Sequence, residues 1–185
     1  MVVFCNGMVR SGSTLQYNIT RLLVESAGVG MGIREIERAY PEGHPAIEAF
    51  ADALEMYVLP THGLEDRRYA EPDRILELAM QGSIKITYVH RDVRDVVVSL
   101  RTKWGMNFEQ CVKLVDGALE SYAWLQPHAE EPWVLMQRYD ELTGDLAAGA
   151  RDIALFLEVG LPDEAVAQIA DTCSMDKAVQ VMERL

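Results

Sequence analysis

The stretch GMVRSGSTL, which begins at Gly7, nearly matches the phosphate-binding pattern G-x-x-x-x-G-K-[ST]. Ser13 stands where that pattern has the lysine that reaches the terminal phosphates of a nucleoside triphosphate, and Arg10 is the only cation inside the loop. A glycine-rich turn followed by a helix N-terminus binds anions through backbone N–H groups, whatever its side chains are. The stretch therefore predicts a cradle for a short anionic group, although it also suits a plain turn with a good helix cap.

A second stretch, YVHRDVRDVVVSL over residues 88–100, carries a matching pair of polar residues. Arg91 ends an apolar run typical of a strand, and Ser99 follows eight residues later, two turns along the next predicted helix. A guanidinium at a strand end and a hydroxyl on the following helix can hold a phosphate from two sides. The second stretch therefore predicts a second phosphate contact.

The elements that must position these residues follow from apolar patterning. Strands are predicted at 2–6, 57–63, 84–92 and 133–139. Helices are predicted from about Ser13, at 45–56, 72–80, 93–103 and 107–126, and over most of the chain after Asp145, with a long loop at 28–44. Alternating strands and helices indicate an α/β fold, a three-layer α/β/α arrangement around a mostly parallel central sheet with ligands at the carboxyl ends of the strands.

Two of the predicted helices carry more detailed expectations. Ser11 or Ser13 is expected to cap the first helix through its hydroxyl oxygen. The apolar stripe of the helix at 107–126 is expected to consist of Phe108, Cys111, Val115, Leu119 and Tyr122. The tryptophans, Trp104 among them, are expected to be core residues.

Composition sets limits on the class of protein. The chain has 185 residues, 49% hydrophobic and 25% charged, which fits one domain over 1–185. It contains neither an apolar run of membrane-spanning length nor a signal-peptide pattern, so we expect a cytoplasmic protein that does not bind membrane. The net charge of −12 also disfavours nucleic acid. Its three cysteines are far apart, so neither a disulfide framework nor a metal site is expected.

The two stretches, in this order and spacing, resemble the nucleotide signatures of sulfotransferases that use 3′-phosphoadenosine 5′-phosphosulfate (PAPS). The later RYDELTGDLAAGARDIALFLEVGLP is similar to a third segment of that family, and the resemblance spans most of residues 2–177. It implies a P-loop NTPase-like fold, PAPS as co-substrate without a metal, and transfer of a sulfuryl group to a hydroxyl or amine of a small-molecule or glycan acceptor. The acceptor itself and the oligomeric state stay open at this point.

The resemblance also implies roles for individual residues. The residues expected at the 5′ phosphosulfate are Arg10, Ser11, Gly12, Ser13 and Thr14. Arg91 and Ser99 would bind the 3′-phosphate, and Tyr139 would approach the adenine or, equally, serve as a core aromatic at a strand end. Arg10 would also stabilise charge on the leaving group.

PTHG resembles the segment that carries the family's general base, which makes His62 the preferred base, with an ordinary pKa of ~6.5. Pro60 replaces the lysine of that segment. Because other members use a glutamate after the first helix, Glu35 and Glu37 are the alternative bases.

Other departures from the family keep two rival interpretations open. Leu15 and Met175 replace aromatic residues that contact adenine, and the Gly-rich basic segment that closes over the 3′-phosphate has no counterpart before Leu185. A non-catalytic nucleotide-binding relative would explain these losses. A P-loop small-molecule kinase is the other alternative, in which Asp92 would end a Walker B strand and bind magnesium.

Overall fold

The computed structural model describes residues 1–33, 47–61 and 71–174. Five strands form one sheet: β1 (Val2–Gly7), β2 (Gly30–Gly32), β3 (Met56–Pro60), β4 (Ile84–His90) and β5 (Val134–Arg138). Eight described α-helices accompany them: α1 (Ser13–Ser26), α2 (Ile47–Ala51), α3 (Pro72–Met80), α4 (Val93–Trp104), α5 (Phe108–Leu125), α6 (Tyr139–Gly144), α7 (Leu146–Phe156) and α8 (Asp163–Thr172).

The sheet has the order β2-β3-β1-β4-β5, and its four strand pairs are all parallel. β1 lies at the centre, where Val2 pairs with Tyr57 of β3 on one side and Ile84 of β4 on the other. Every residue of β1 is buried, as expected for a parallel strand covered on both faces. The prediction of a mostly parallel central sheet is confirmed.

Alternating side chains of β1 enter two different apolar cores, one on each face of the sheet. Val2 and Phe4 pack in a core that includes buried residues of α2, α3 and α5. Val3 and Cys5 pack on the opposite face with residues of α1, α7 and α8. Helices therefore cover both faces, and the three-layer α/β/α prediction is confirmed.

Three details of the predicted elements are wrong. β2 lies inside the stretch predicted as a loop, because its pairing with β3, and not an apolar pattern, makes Gly30–Gly32 a strand. The helix predicted at 45–56 has ended by Ala51, and Met56 already belongs to β3. In α5, Phe108 and Leu119 are exposed, whereas Ala118 and Leu125 are buried, so the buried stripe is rotated from the predicted one.

The described part of the chain contains no helix with both the length and the apolar character needed to cross a bilayer.

Candidate functional site

The predicted site lies where the chain leaves the sheet in two directions. From the carboxyl end of β1 the chain runs toward β2 at one edge, and from the carboxyl end of β4 it runs toward β5 at the other. In open parallel sheets, such a divergence marks the crevice between strand ends in which ligands bind. The loop with Arg10 follows β1, and Arg91 follows β4, so both predicted motifs reach this crevice.

The loop after β1 is held from below by Ser11. This side chain is fully buried, and its hydroxyl shares one proton between the carbonyl oxygens of Met8 at 2.6 Å and Val89 at 2.8 Å. The amide of Met8 donates to the same Val89 oxygen at 3.0 Å. These hydrogen bonds connect the loop to the end of β4. They also satisfy the buried hydroxyl of Ser11.

Helix α1 presents its N-terminus to the crevice without a side-chain cap. Its N-cap residue is Gly12, in the left-handed region at φ 90°, and the first turn holds no acidic residue. The prediction that Ser11 or Ser13 caps this helix is wrong, because the Ser11 hydroxyl is bound to the loop carbonyls instead. The first N–H groups of a helix have no intrahelical partner, so this uncapped end can donate to an anion.

Arg10 joins the two sequence motifs. It also has a left-handed backbone, with φ 62°, which is uncommon for a residue that is not glycine. Its Nε donates to Ser99 Oγ at 3.1 Å, across 89 positions of sequence, and its guanidinium carbon lies 5.3 Å from the ring centroid of Trp104. The hydroxyl predicted to bind a second phosphate therefore lies directly against the cation of the first loop.

Arg91 lies beside Arg10 with donors to spare. Its guanidinium carbon is 4.2 Å above the ring centroid of Tyr139, and its Nη1 is 3.5 Å from the carbonyl oxygen of Arg10. Its Nε is buried, makes no hydrogen bond to any described residue, and lies 3.6 Å from an oxygen of Asp95. An orphaned, buried N–H on a permanent cation is unusual, and an anion in the crevice would satisfy it.

Tyr139, the first residue of α6, lies on the side of the crevice next to β5. Its half-buried ring packs against Arg91, and a Cβ added at Gly12 would lie 3.1 Å from Tyr139 Cδ2. The same ring also packs at the margin of the apolar core around α7. Tyr139 thus joins the loop, Arg91 and the core, and the two roles predicted for it are compatible.

The end of β4 carries two titratable groups whose environments differ. Asp92 accepts from Arg94 N at 2.9 Å as the N-cap of α4, and its hydrogen bonds to the Arg94 side chain and backbone lower its pKa to about 2. His90 packs edge-on against Tyr122, and burial, together with the charge of Arg138, lowers its pKa. Asp92 is therefore a helix cap paired with arginine, and the surroundings of His90 favour its neutral imidazole form.

Sequence reasoning missed two features of this site. Trp104 was expected in the core, yet 52% of it is exposed and its ring faces Arg10. Beneath the site, Gln16 Nε2 donates to Gln137 Oε1 at 2.9 Å, and Gln137 donates to the carbonyl oxygen of Gly149 at 3.2 Å. The sequence signal for this second feature is Gln137, which follows three apolar residues in β5. A buried amide there needs a hydrogen-bond partner.

The predicted general bases cannot be placed. His62, Glu35 and Glu37 lie outside the described residues, as does Met175. The residues that the structure does bring together are Arg10, Arg91, Ser99 and Tyr139, around the uncapped start of α1.

Comparison with known proteins identifies the family. A model of the sulfotransferase domain matches residues 2–180, nearly the whole chain. The chain therefore belongs to the sulfotransferase domain family. No curated protein sequence gives a significant match.

Solved structures share the fold at low sequence identity. A retinol dehydratase in complex with androsterone and the inactive cofactor PAP is 20% identical, with a TM-score of 0.64, and the match covers 95% of this chain and 65% of that one. A mouse sulfotransferase complexed with PAP is 17% identical, with a TM-score of 0.67 and coverages of 95% and 64%. A sulfotransferase from Mycobacterium tuberculosis is 14% identical, with a TM-score of 0.55 and coverages of 93% and 71%.

These matches establish the P-loop-like sulfotransferase fold. The chain spans about 65% of the length of the first two of these proteins.

Proposed function

We propose that the chain is a PAPS-dependent sulfotransferase that moves a sulfuryl group to a hydroxyl or amine of an acceptor. The observation that carries this proposal is the 3.1 Å hydrogen bond from Arg10 to Ser99, which brings both anion-binding motifs to one crevice beside an uncapped helix. Membership of the sulfotransferase domain family supports it.

The donors in the crevice fit a ligand with one phosphate group at each end of a ribose. The N-terminus of α1 and Arg10 would hold the 5′ phosphosulfate, together with the loop residues Ser11, Gly12, Ser13 and Thr14. Arg91 and Ser99 would hold the 3′-phosphate. The Ser99 oxygen accepts from Arg10, and in the described part of the chain neither the Ser99 proton nor the Arg91 Nε–H is hydrogen-bonded, so both could donate to the phosphate. Tyr139 would lie close to the base.

Groups of the chain would then stabilise the developing negative charge and accept a proton. When bound, PAPS supplies an activated sulfuryl group, which an acceptor oxygen or nitrogen takes by attack at sulfur as the bond to the 5′-phosphate breaks. Arg10 and the positive end of α1 stabilise the negative charge that develops on the departing phosphate oxygen. His62, or in its place Glu35 or Glu37, takes the proton of the acceptor.

The proposals on domain organisation, location, metal requirement and acceptor rest on the sequence. We propose a single domain over 1–185, a cytoplasmic location, no metal requirement, and a small-molecule or glycan acceptor. The acidic balance of the chain, with a net charge of −12, supports the expectation that nucleic acid is not a partner.

The first experiment is calorimetric titration of the purified chain with adenosine 3′,5′-bisphosphate (PAP) in the absence of metal, beside a titration with ATP and magnesium. We expect binding of PAP that is weakened in Ser99→Ala and lost in the presence of high salt. Preference for magnesium-ATP would overturn the proposal in favour of a kinase. Binding of PAP with no sulfate transfer to any acceptor in a broad screen would indicate the non-catalytic alternative.

One contact argues against the kinase alternative. A kinase would need Asp92 to bind magnesium, but its carboxylate is bound to the Arg94 side chain and caps α4. Releasing it would cost the helix its cap and the carboxylate its ion pair.

A further inference from the structure

Trp104 is a large aromatic residue whose position is not explained by burial. It is 52% exposed at the last position of α4, where Gly105 ends the helix with φ 64°. An exposed tryptophan leaves much of its apolar surface in water, so the core does not account for its presence there. Its one described ring contact with a cation is with Arg10, at 5.3 Å from the guanidinium carbon.

A cation–π contact holds a guanidinium in a particular way. The aromatic ring meets the face of the planar group, which leaves the N–H donors around its edge free for an anion. A carboxylate partner would occupy those donors and cancel the charge. Among the described residues, no carboxylate lies within ion-pair distance of Arg10.

The site repeats this arrangement on its other side. Arg91 lies over Tyr139 at 4.2 Å, so each arginine of the crevice is paired with an aromatic face. Arg91 also reaches the backbone of Arg10, with its Nη1 3.5 Å from the Arg10 carbonyl oxygen. Arg91 also lies 3.6 Å from a carboxylate oxygen of Asp95, so within the described residues Arg10 is the arginine of this pair that has an aromatic partner and no carboxylate.

We propose that Trp104 is a positioning residue that holds the Arg10 guanidinium against α4 with its donor edge turned to the crevice. The hydrogen bond to Ser99 holds Nε, and the Trp104 ring, 5.3 Å from the guanidinium carbon, limits where the rest of the group can move. The ligand-binding consequence rests on the proposed function of Arg10, whereas the contact itself does not.

The contact is tested on the ligand-free protein by NMR. A proton above an indole ring is shifted upfield, so the Arg10 Hε resonance, assigned by its loss in Arg10→Lys, should move downfield in Trp104→Ala. Trp104→Phe, which keeps a ring, should restore part of the upfield shift. Phe108→Ala is the matched control, because Phe108 is also an exposed aromatic and no cation is recorded over its ring within the described chain.

The consequence is tested by titration with PAP. An exposed cation–π contact changes an equilibrium by about two- to fivefold, so Trp104→Ala should weaken PAP binding by that factor, Trp104→Phe by less, and Phe108→Ala not at all. The effect should vanish in an Arg10→Ala background, because a positioning residue acts only through the group it positions. Thermal unfolding of Trp104→Ala should match that of the wild type, given the exposure of the side chain.

The outcomes separate this proposal from the proposed function. An unchanged Arg10 Hε shift in Trp104→Ala, or full PAP affinity in that variant, overturns the positioning role. An equal loss of affinity from Trp104→Ala with and without Arg10 also overturns it, because the ring would then touch the ligand directly. If wild-type protein does not bind PAP at all, the proposed function fails, and the NMR comparison still decides whether Trp104 holds Arg10.

Discussion

The two motifs proposed to bind anions, the loop after β1 and the Arg91–Ser99 motif after β4, differ in which part of the chain supplies their contacts. The loop after β1 relies on backbone: Gly12 at φ 90°, an uncapped α1, and a buried Ser11 that supports the turn. The motif after β4 relies on side chains, since Arg91 and Ser99 project from a regular strand end and a regular helix. A substitution in the loop should therefore disturb folding and binding together, whereas one in the second motif should disturb mainly binding.

The largest expected effect is the loss of stability in Gly7→Ala, at the end of β1 where the loop begins. A Cβ at Gly7 would lie 2.7 Å from both Cγ1 and the carbonyl oxygen of Val89, inside the β1–β4 pairing. We expect a loss of roughly 2–3 kcal/mol in the free energy of unfolding, because overpacking there must move backbone. Urea unfolding measures it, with Gly117→Ala in α5 as control, where an added Cβ meets nothing within 4 Å and should raise stability slightly.

The next largest effect is on the side-chain motif. Arg91→Ala should weaken PAP binding by roughly tenfold to a hundredfold, the range expected for lost hydrogen bonds to a charged group. The urea midpoint should fall only slightly, because the contacts that the variant loses, with Asp95, the Arg10 carbonyl oxygen and the Tyr139 ring, are long or partly exposed.

Arg94→Ala is the matched control for that titration, since Arg94 is an exposed arginine one turn along whose partner is Asp92. Equal affinities of Arg91→Ala and wild type would remove Arg91 from the site. A large drop in the stability of Arg91→Ala would contradict the expectation that substitutions in the motif after β4 affect mainly binding.

A smaller effect returns to the loop. Ser11→Ala should lower the free energy of unfolding by about 1–2 kcal/mol, since the carbonyl oxygens of Met8 and Val89 each lose one hydrogen bond but keep another from a backbone amide. Chemical denaturation and PAP titration on the same sample would show both effects together. Full stability with normal binding would mean that the loop does not need this support.

The smallest effect concerns the cap of α4. The pKa of Asp92, about 2, lies below its ordinary value of 3.8, so stability from this cap is complete above pH ~4 and is lost as the pH falls toward 2. Arg94→Ala should raise the pKa of Asp92 toward 3.8, measured by NMR titration of the carboxyl group. Arg101→Ala, at the far end of the same helix, should leave it unchanged.

Much of the fold could be predicted from local pattern. β1 and β4 are runs of buried apolar β-formers, and strands alternating with helices allow few arrangements other than a covered parallel sheet. The convergence of Arg10, Arg91 and Ser99 also followed from local pattern, because residues after neighbouring parallel strands meet at one edge.

The remaining errors have a common physical cause. The sequence of a segment does not show which other parts of the chain pack against it. β2 is a strand because β3 lies beside it, and the Gly30–Gly32 segment has no apolar alternation to reveal this. α5 buries Ala118 and leaves Phe108 in water, so residue size alone pointed to the wrong stripe. Trp104 was placed in the core on its apolar character, whereas a cation from a distant loop lies over its exposed ring.

The central place of β1 has a consequence for how the chain is made. Val2 pairs with Tyr57 and Ile84, so β1 leaves the ribosome before both of its partner strands and must wait for them. At ~5–20 residues per second, roughly 4–16 s of synthesis separate β1 from β4. Until β3 emerges, VVFCNG has both edges open, and until β4 emerges it has one open edge, so the nascent chain should benefit from chaperones that keep this strand from pairing with other chains.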